Sequence, residues 1–240
     1  MKLFKKLSSI LIIGAVALST PSLGHAKSAK KVDVDYVSLG DSLAAGQTPD
    51  KKFDSGYADY LKDRMVQSQY EVKFDKLGVS GYTSSQLLDD VLYNQQVESM
   101  LMEAEMITIN IGANDVLHAL QSGPHYAAAS VGTVRKNLTI ILQTIDALNP
   151  DVDVYVMGYY NPFPHLPETQ QVELLPLLDI LNTTIETASI ANGDVFVPTA
   201  DAIAKDATTF IPNPTDIHLS LEGYQVIAKE FWKHIDKSNK

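Results

Sequence analysis

The amino-acid sequence predicts a single α/β domain with a central parallel sheet of about five strands and helices on both faces. Three observations lead to this fold class. Short apolar runs rich in β-branched residues recur along the chain, helix-like segments separate them, and no repeat, low-complexity tract or long linker interrupts the alternation. In such folds functional residues cluster at the carboxyl ends of the strands, so motifs are expected just after each strand.

The expected strands and helices follow each other in strict alternation. The strands are predicted at Val32–Leu39, Tyr70–Val79, Met106–Ile111, Val152–Met157, and Val195–Val197 with its flanks. The helices are predicted at Gly56–Gln69, Ser84–Gln96, Val131–Leu148, Glu168–Ala191 and Leu221–Ile235. Each strand is thus separated from the next by a helical segment, as in a parallel sheet.

The N-terminus has the pattern of a secretory signal peptide. Three lysines within the first six residues precede an apolar stretch from Leu7 to about Leu18, and Gly24 and Ala26 supply the small residues of a cleavage site after Ala26. The apolar stretch is short for a membrane span, which needs roughly 20 residues. We therefore expect residues 1–26 to be removed and residues 27–240 to form one secreted domain without a stable membrane span, with a retained N-terminal anchor as the alternative.

The composition excludes several classes of function. The formal net charge of −10 disfavours nucleic acid or anionic lipid as the main partner. The chain has no cysteine, which removes disulfides, thiolate metal sites and cysteine nucleophiles. Export without disulfides is typical of a bacterial secreted protein. The oligomeric state cannot be inferred from these properties.

The first candidate site residue is Ser42, in the Gly-Asp-Ser-Leu stretch that follows the first strand. A hydroxyl at a strand end is exposed, and the N–H groups of a following helix can hold the negative charge of an acyl-transfer intermediate. The alternative is that Ser42 is an ordinary helix N-cap.

Two further segments supply candidate hydrogen-bond donors. Gly81 lies in the Gly-Val-Ser-Gly stretch after the second strand, where a backbone N–H can approach a substrate oxygen; the alternative is a tight turn. Asn114 follows the third strand and offers a carboxamide donor, although its side chain could instead hydrogen-bond its own turn. Asp115 is interpreted as a cap of the following helix.

His218 is the candidate general base. It lies in a Pro-rich loop before the last helix, and histidine is the side chain that titrates closest to neutrality. The other histidines lie in the signal segment, in helical or Pro-rich surroundings, or in the Lys-flanked terminal helix.

These four blocks, in this order, resemble the SGNH/GDSL hydrolase family, which is named for a catalytic Ser, Gly, Asn and His. The matching residues are Ser42, Gly81, Asn114 and His218. The resemblance implies a flavodoxin-like arrangement and cofactor-free ester hydrolysis with Ser42 as nucleophile and His218 as its base. The backbone N–H groups of Ser42 and Gly81, with the Asn114 side chain, would form the oxyanion hole.

The chain departs from the family pattern at the acid partner of the histidine. The family places this acid three residues before the histidine, where this chain has Thr215, while Asp216 lies two residues before His218. Asp216 is therefore the candidate acid, with Thr215 or a backbone carbonyl as alternatives.

Rival functions find less support in the sequence. The Gly-x-Ser-x-Gly elbow, the His-Glu-x-x-His metal motif and the glycine-rich phosphate loops are absent, so neither a metal nor a nucleotide cofactor is expected. A non-catalytic binding relative remains an alternative.

The expected substrate is a small-molecule or lipid carboxylic ester with a short or medium acyl chain. The stretch from Tyr159 to Pro167 leads into the leucines of residues 174–178, which could line an acyl groove or simply form the buried face of a helix. Deacetylation of a polysaccharide is the alternative activity.

Overall fold

The structure is a computed structural model that describes residues 32–238. The predicted signal peptide, residues 1–26, and its cleavage site after Ala26 lie outside the described residues. No helix within residues 32–238 is both long and apolar enough to cross a membrane.

Five parallel strands form the central sheet, in the order β2-β1-β3-β4-β5. They span Val32–Gly40 (β1), Tyr70–Lys76 (β2), Met106–Asn110 (β3), Asp153–Met157 (β4) and Val195–Val197 (β5). This order is that of flavodoxin-like folds, in which the direction of winding reverses between β1 and β3 and ligands bind at that switch point. The predicted fold class is confirmed.

Ten helices lie in the described part of the chain. They span Ser42–Ala45 (α1), Tyr57–Gln67 (α2), Ser84–Tyr93 (α3), Gln95–Glu103 (α4), Ala113–Leu120 (α5), Pro124–Leu148 (α6), Glu168–Asn192 (α7), Ala200–Ala204 (α8), Ala207–Phe210 (α9) and Leu221–Ser238 (α10). Helix α10 packs against α2, α8 and α9, whereas α6 packs against α3, α5 and α7. These two groups cover the two faces of the sheet.

The core lies on both sides of the sheet, because the strands at its centre are buried on both faces. Every residue of β3 is buried, so its side chains are apolar except for Thr108 and Asn110, whose polar atoms are hydrogen-bonded. On the α2–α10 side, the Tyr57 and Phe231 rings stack with their centroids 4.9 Å apart.

Several predicted boundaries were wrong, each for a local reason. Strand β2 ends at Lys76 rather than Val79, where the chain turns over the end of the sheet. The helix predicted at Ser84–Gln96 is broken at Asn94, whose side chain accepts hydrogen bonds from the N–H groups of Gln96 and Val97 and so starts α4.

Other helices were missed or misplaced. Helix α6 begins at Pro124 rather than Val131, because a proline is well tolerated in the first turn of a helix. The helices α1, α4, α5, α8 and α9 were not predicted as separate elements. They have at most nine residues each, too few to give a clear periodicity.

Candidate active site

The end of β1 leaves no room for a side chain beside β3. At Gly40 the backbone has φ +141°, and a Cβ there would lie 2.2 Å from the carbonyl oxygen of Asn110. The next residue continues the contact, since the Asp41 N–H donates to the same carbonyl at 3.1 Å. Glycine is thus required where the chain turns from β1 into α1.

Asp41, and not Ser42, is the N-cap of α1, so the alternative role of Ser42 as a cap was wrong. Its Oδ1 accepts a hydrogen bond from the Leu43 N–H at 2.9 Å and from Asn110 Nδ2 at 2.5 Å. Its Oδ2 accepts one from the Tyr159 hydroxyl at 2.6 Å. Ser42 is consequently the first residue of α1, with its side chain free for other contacts.

The Asp41 carboxyl group is almost completely buried, with 2% of its surface exposed. Burial raises its pKa from 3.8 to about 6, because water no longer solvates the charged form. The hydrogen bonds from Tyr159, the Leu43 N–H and Asn110, and the proximity of His218, act in the opposite direction on this pKa.

Ser42, His218 and Asp216 form a continuous hydrogen-bonded chain. His218 Nε2 lies 2.8 Å from Ser42 Oγ, and His218 Nδ1 lies 2.6 Å from Asp216 Oδ1. An ionised carboxylate only accepts hydrogen bonds, so Nδ1 carries the proton and Nε2 is left to accept the serine proton. Ser42 and His218 are each 8% exposed, which removes most of the competing water.

The acid partner of His218 in this structure is Asp216, two residues earlier. Asp216 Oδ1 also accepts the His218 backbone N–H at 2.9 Å, so one oxygen holds both the ring and the backbone of the histidine. Thr215 is turned away, and its hydroxyl donates instead to Asn213 Oδ1 at 2.9 Å. An acid that lies two residues before the histidine, rather than three, can therefore place its carboxylate at Nδ1.

The loop that carries Gly81 packs directly on α1. The Val79 N–H donates to the Gly40 carbonyl at 3.0 Å, and a Cβ at Gly78 would lie 2.3 Å from the Ala45 nitrogen. Gly81 itself is exposed, with φ +83°, in a turn closed by the Tyr82 N–H and the Val79 carbonyl at 3.1 Å. This segment thus forms the tight turn that was the alternative interpretation of Gly81, and it places that turn beside α1.

Asn114 lies in the first turn of α5 and contacts the same loop. Its Nδ2 donates to the Tyr82 carbonyl at 2.9 Å. A carboxamide nitrogen has two hydrogens, so the second remains for another acceptor. Asn114 and Ser42 both line one cleft.

Asp115 does not cap its own helix, so that interpretation was wrong. Its carboxylate accepts hydrogen bonds from the Ser84 N–H at 2.8 Å and the Ser84 hydroxyl at 2.6 Å, at the start of α3. The sequence gives no direct signal for this contact, because the two residues are joined only through the fold.

A predominantly apolar cleft opens beside Ser42 and His218. Its empty volume is about 760 Å³, including the part open to solvent. Its apolar walls include Leu117, Leu120, Phe163, Leu174, Leu175 and Leu178. All five leucines of α7 line this cleft, Leu177 and Leu181 as part of the buried core and the other three as partly buried side chains. The expectation of a buried helix face thus holds for part of this segment, and the acyl groove stays a prediction.

Two tyrosines that follow β4 were not predicted as site residues. Tyr159 binds the Asp41 carboxylate, and the Tyr160 hydroxyl donates to the Ile217 carbonyl at 2.9 Å, next to His218. Both are at least 95% buried. Their position directly after a strand was a usable signal, but the sequence alone could not show which side chains they would meet.

Metal-ligand clusters are not found in the described region: no three His, Asp or Glu side chains within residues 32–235 are arranged to hold a metal ion.

Comparison with solved structures reveals extensive likeness of fold. A lipase from a goat rumen metagenome is 21% identical, with a TM-score of 0.72, over 83% of this chain and 96% of that one. An acetyl-xylooligosaccharide esterase from Geobacillus stearothermophilus is 17% identical, with a TM-score of 0.65, over 85% and 95%. An extracellular lipase from Streptomyces rimosus is 19% identical, with a TM-score of 0.61, over 83% and 99%.

Sequence comparisons give a family but no individual relative. No curated protein matches the chain. The model of the GDSL-like lipase/acylhydrolase family matches residues 38–226, a range that contains Ser42, Gly81, Asn114, Asp216 and His218. The chain belongs to the GDSL-like lipase/acylhydrolase family.

Proposed function

We propose that the protein is a serine-dependent carboxylic ester hydrolase with Ser42 as nucleophile, His218 as general base and Asp216 as the residue that orients His218. The observation that carries this proposal is the hydrogen-bonded chain from Ser42 Oγ through the imidazole to Asp216 Oδ1. A nucleophile, a base and an orienting acid in contact are the elements of covalent acyl transfer.

In the first half-reaction, Ser42 Oγ attacks the ester carbonyl carbon while its proton passes to His218 Nε2. The imidazolium that results is stabilised by Asp216 at Nδ1, and the buried Asp41 carboxylate adds a second negative charge nearby. When the tetrahedral intermediate collapses, His218 gives the proton to the departing alcohol and an acyl-serine remains.

In the second half-reaction, water replaces the alcohol. His218 takes a proton from the water as it attacks the acyl-serine, and returns that proton to Ser42 Oγ when the carboxylic acid is released. No redox step is required, and all atoms come from the ester and water.

The negative charge on the carbonyl oxygen needs donors during both steps. We assign these donors to the backbone N–H groups of Ser42 and Gly81 and to Asn114 Nδ2. The position of Ser42 at the start of α1 supports this, because N–H groups in the first turn of a helix have no partner within the helix. Loss of one such donor typically costs about 3 kcal/mol of transition-state stabilisation.

The apolar cleft favours an acyl chain longer than acetyl. The leucines of α5 and α7 offer it a dry wall next to the nucleophile, and burial of each methylene contributes about 0.8 kcal/mol. We therefore propose a small-molecule or lipid ester with a medium acyl chain. Polysaccharide deacetylation is the second candidate, supported by the likeness of fold to the acetyl-xylooligosaccharide esterase.

Export is proposed from the sequence of residues 1–26 alone. The protein would then act outside the cell after cleavage following Ala26.

The proposed function is tested with p-nitrophenyl esters from acetyl to palmitoyl, with and without EDTA, using residues 27–240 and its Ser42→Ala variant. We expect EDTA-resistant hydrolysis that Ser42→Ala abolishes, with an optimum beyond acetyl. An acetyl optimum would favour the deacetylase, which release of acetate from acetylated xylan would then check. Folded protein without activity on any ester would contradict the proposal and favour a binding role.

A further inference from the structure

Asp115 and Ser84 form a two-pronged contact between α5 and α3. Asp115 Oδ2 accepts the Ser84 backbone N–H at 2.8 Å, and Oδ1 accepts the Ser84 hydroxyl at 2.6 Å. Ser84 is fully buried and Asp115 partly buried. Two hydrogen bonds from a carboxylate to one residue fix both the distance and the orientation of the two helix starts.

A third helix completes this contact. Asn137, in the middle of α6, donates from Nδ2 to the hydroxyl oxygens of Ser84 at 3.0 Å and Ser85 at 2.9 Å. The Ser84 hydroxyl therefore donates to Asp115 while it accepts from Asn137. Since Asn137 is 6% exposed, the contact is held from the interior of the domain.

Capping of α3 alone does not account for this arrangement. Helix α3 already has a local closure at its start, where the Thr83 N–H donates to Gln86 Oε1 at 3.0 Å. Helix α5, in contrast, receives no side-chain cap at Gly112. The carboxylate that stands in the first turn of α5 is directed at the neighbouring helix instead.

The residues joined by this contact adjoin the two donors assigned to the oxyanion hole. Asp115 directly follows Asn114, and Ser84 lies three residues after Gly81. A second link runs in parallel, from Asn114 Nδ2 to the Tyr82 carbonyl at 2.9 Å. Without Asp115, this single hydrogen bond would have to fix the relative position of the two donor segments.

We propose that Asp115 is a positioning residue that holds the Gly81 turn and Asn114 at the relative position that one oxyanion hole requires. This inference rests on the proposed ester hydrolase function. Asp115 is not among the residues that line the cleft and acts through Ser84 and Asn114.

The test compares Asp115→Ala and Asp115→Asn with wild type on a short p-nitrophenyl ester. We expect Asp115→Ala to lower kcat by on the order of 10- to 100-fold, as expected for slight misplacement of catalytic groups, with KM changed less than threefold. Asp115→Asn keeps an acceptor oxygen for Ser84 and should recover part of kcat. The Kd of an alkylboronic acid, which forms a tetrahedral adduct with the serine, should rise in parallel with the loss of kcat.

Asn94→Ala is the matched control. Asn94 caps α4 through two backbone N–H groups and is exposed away from the cleft, so its loss tests the effect of an uncapped helix alone. It should reduce stability without changing kcat.

The double variant Asn114→Ala with Asp115→Ala gives a further test. Its fold-loss of kcat should be smaller than the product of the two single fold-losses, because both residues act on the same donor.

The outcomes separate the two proposals. Hydrolysis by wild type and not by Ser42→Ala would support the hydrolase function. If folded Asp115→Ala then has the same kcat and boronate Kd as Asn94→Ala, the positioning role is overturned while the hydrolase function stands. Inactive, folded wild type would overturn both. Should Asp115→Ala not fold, Ser84→Ala keeps the backbone hydrogen bond and must still lower kcat severalfold; unchanged kcat in that variant would contradict the positioning role.

Discussion

The Tyr159 hydroxyl donates a 2.6 Å hydrogen bond to the buried Asp41 carboxylate across 118 residues of sequence. This bond ties the end of β4 to the end of β1, next to Ser42. Asn110, from the end of β3, donates to the other oxygen of the same carboxylate. The buried Asp41 carboxylate thus connects the carboxyl ends of three neighbouring strands, β1, β3 and β4, where the candidate site lies.

The raised pKa of Asp41 gives a pH dependence of stability with a defined sign. Its folded-state pKa of about 6 lies above the ordinary 3.8, so between these values the native state holds a proton that the unfolded chain has lost. The free energy of unfolding should therefore fall as pH rises from about 4 to about 6, by about 1.4 kcal/mol per unit from this group. Asp41→Asn should remove this group's contribution to the slope, as measured by urea unfolding across that range, and should also lower turnover.

Asp194 provides the control for that measurement. Burial and the neighbouring Asp146 raise its pKa to about 6 as well. Asp194 lies directly before β5, at the amino ends of the strands, whereas the cleft lies at their carboxyl ends. Asp194→Asn should change the pH slope of stability and leave ester hydrolysis intact. A slope in Asp41→Asn that matches wild type would show that Asp41 is ionised through this range.

Losses of activity should be graded along the Ser42–His218–Asp216 chain. If the proposed mechanism holds, we expect Ser42→Ala and His218→Ala each to lower kcat by on the order of 10⁴-fold or more, and Asp216→Ala to lower it much less. Steady-state kinetics on one ester are sufficient. Thr215→Val should be neutral because Thr215 bonds only Asn213; equal losses in Asp216→Ala and His218→Ala would make Asp216 a full member of the triad.

Gly40 and Gly81 should respond differently to alanine. At Gly40 a Cβ would lie 2.2 Å from a backbone oxygen, so Gly40→Ala should destabilise the fold by several kcal/mol, on the order of the largest single-residue effects. At Gly81 a Cβ has nothing within 4 Å, and the cost is the left-handed backbone alone, about 1 kcal/mol. Thermal unfolding should separate the two variants, and Gly81→Ala should mainly reduce kcat. Equal destabilisation would argue against this geometry.

The width of the apolar cleft should set the preferred acyl chain. Leu178→Trp adds bulk to the cleft wall and should shift the chain-length optimum of kcat/KM towards shorter esters. Ile180→Trp, on the same helix but 48% exposed and outside the cleft, is the matched control and should leave the optimum unchanged. A series of p-nitrophenyl esters measures both. An unchanged optimum in Leu178→Trp would place the acyl chain elsewhere.

The sequence predicted the sheet well where a strand is a largely apolar run, whereas the alternating apolar and charged residues of β2 left its end misplaced by three residues. Residues 106–110 and 153–157 show this directly, with predicted and observed bounds within one residue. The winding order 2-1-3-4-5 was not available from such local patterns and came from the family resemblance. Helices of four or five residues, such as α1 and α9, were missed because one turn carries no periodic signal.

The candidate site was predictable where a residue sits in a motif, and not where it acts across the fold. Ser42, Gly81, Asn114 and His218 could be named in advance, and the structure brings Ser42 and His218 into hydrogen-bonding contact. The partners of Asp41 and Asp115 could not, because those hydrogen bonds join segments that are 31 to 118 residues apart. Asp216 was uncertain for a different, local reason: it lies only two residues from His218, and the loop conformation decides which side chain reaches the imidazole.

The distance along the chain between Ser42 and His218 also bears on how the protein matures. The two are 176 residues apart, and their hydrogen bond forms only after the chain from β1 to the loop before α10 has assembled. Contacts of such long sequence separation require closure of a long loop and are slow to form. Under the proposed mechanism, a chain that has formed its helices but not this contact would lack the base beside Ser42, so hydrolysis would begin only once the whole domain has folded.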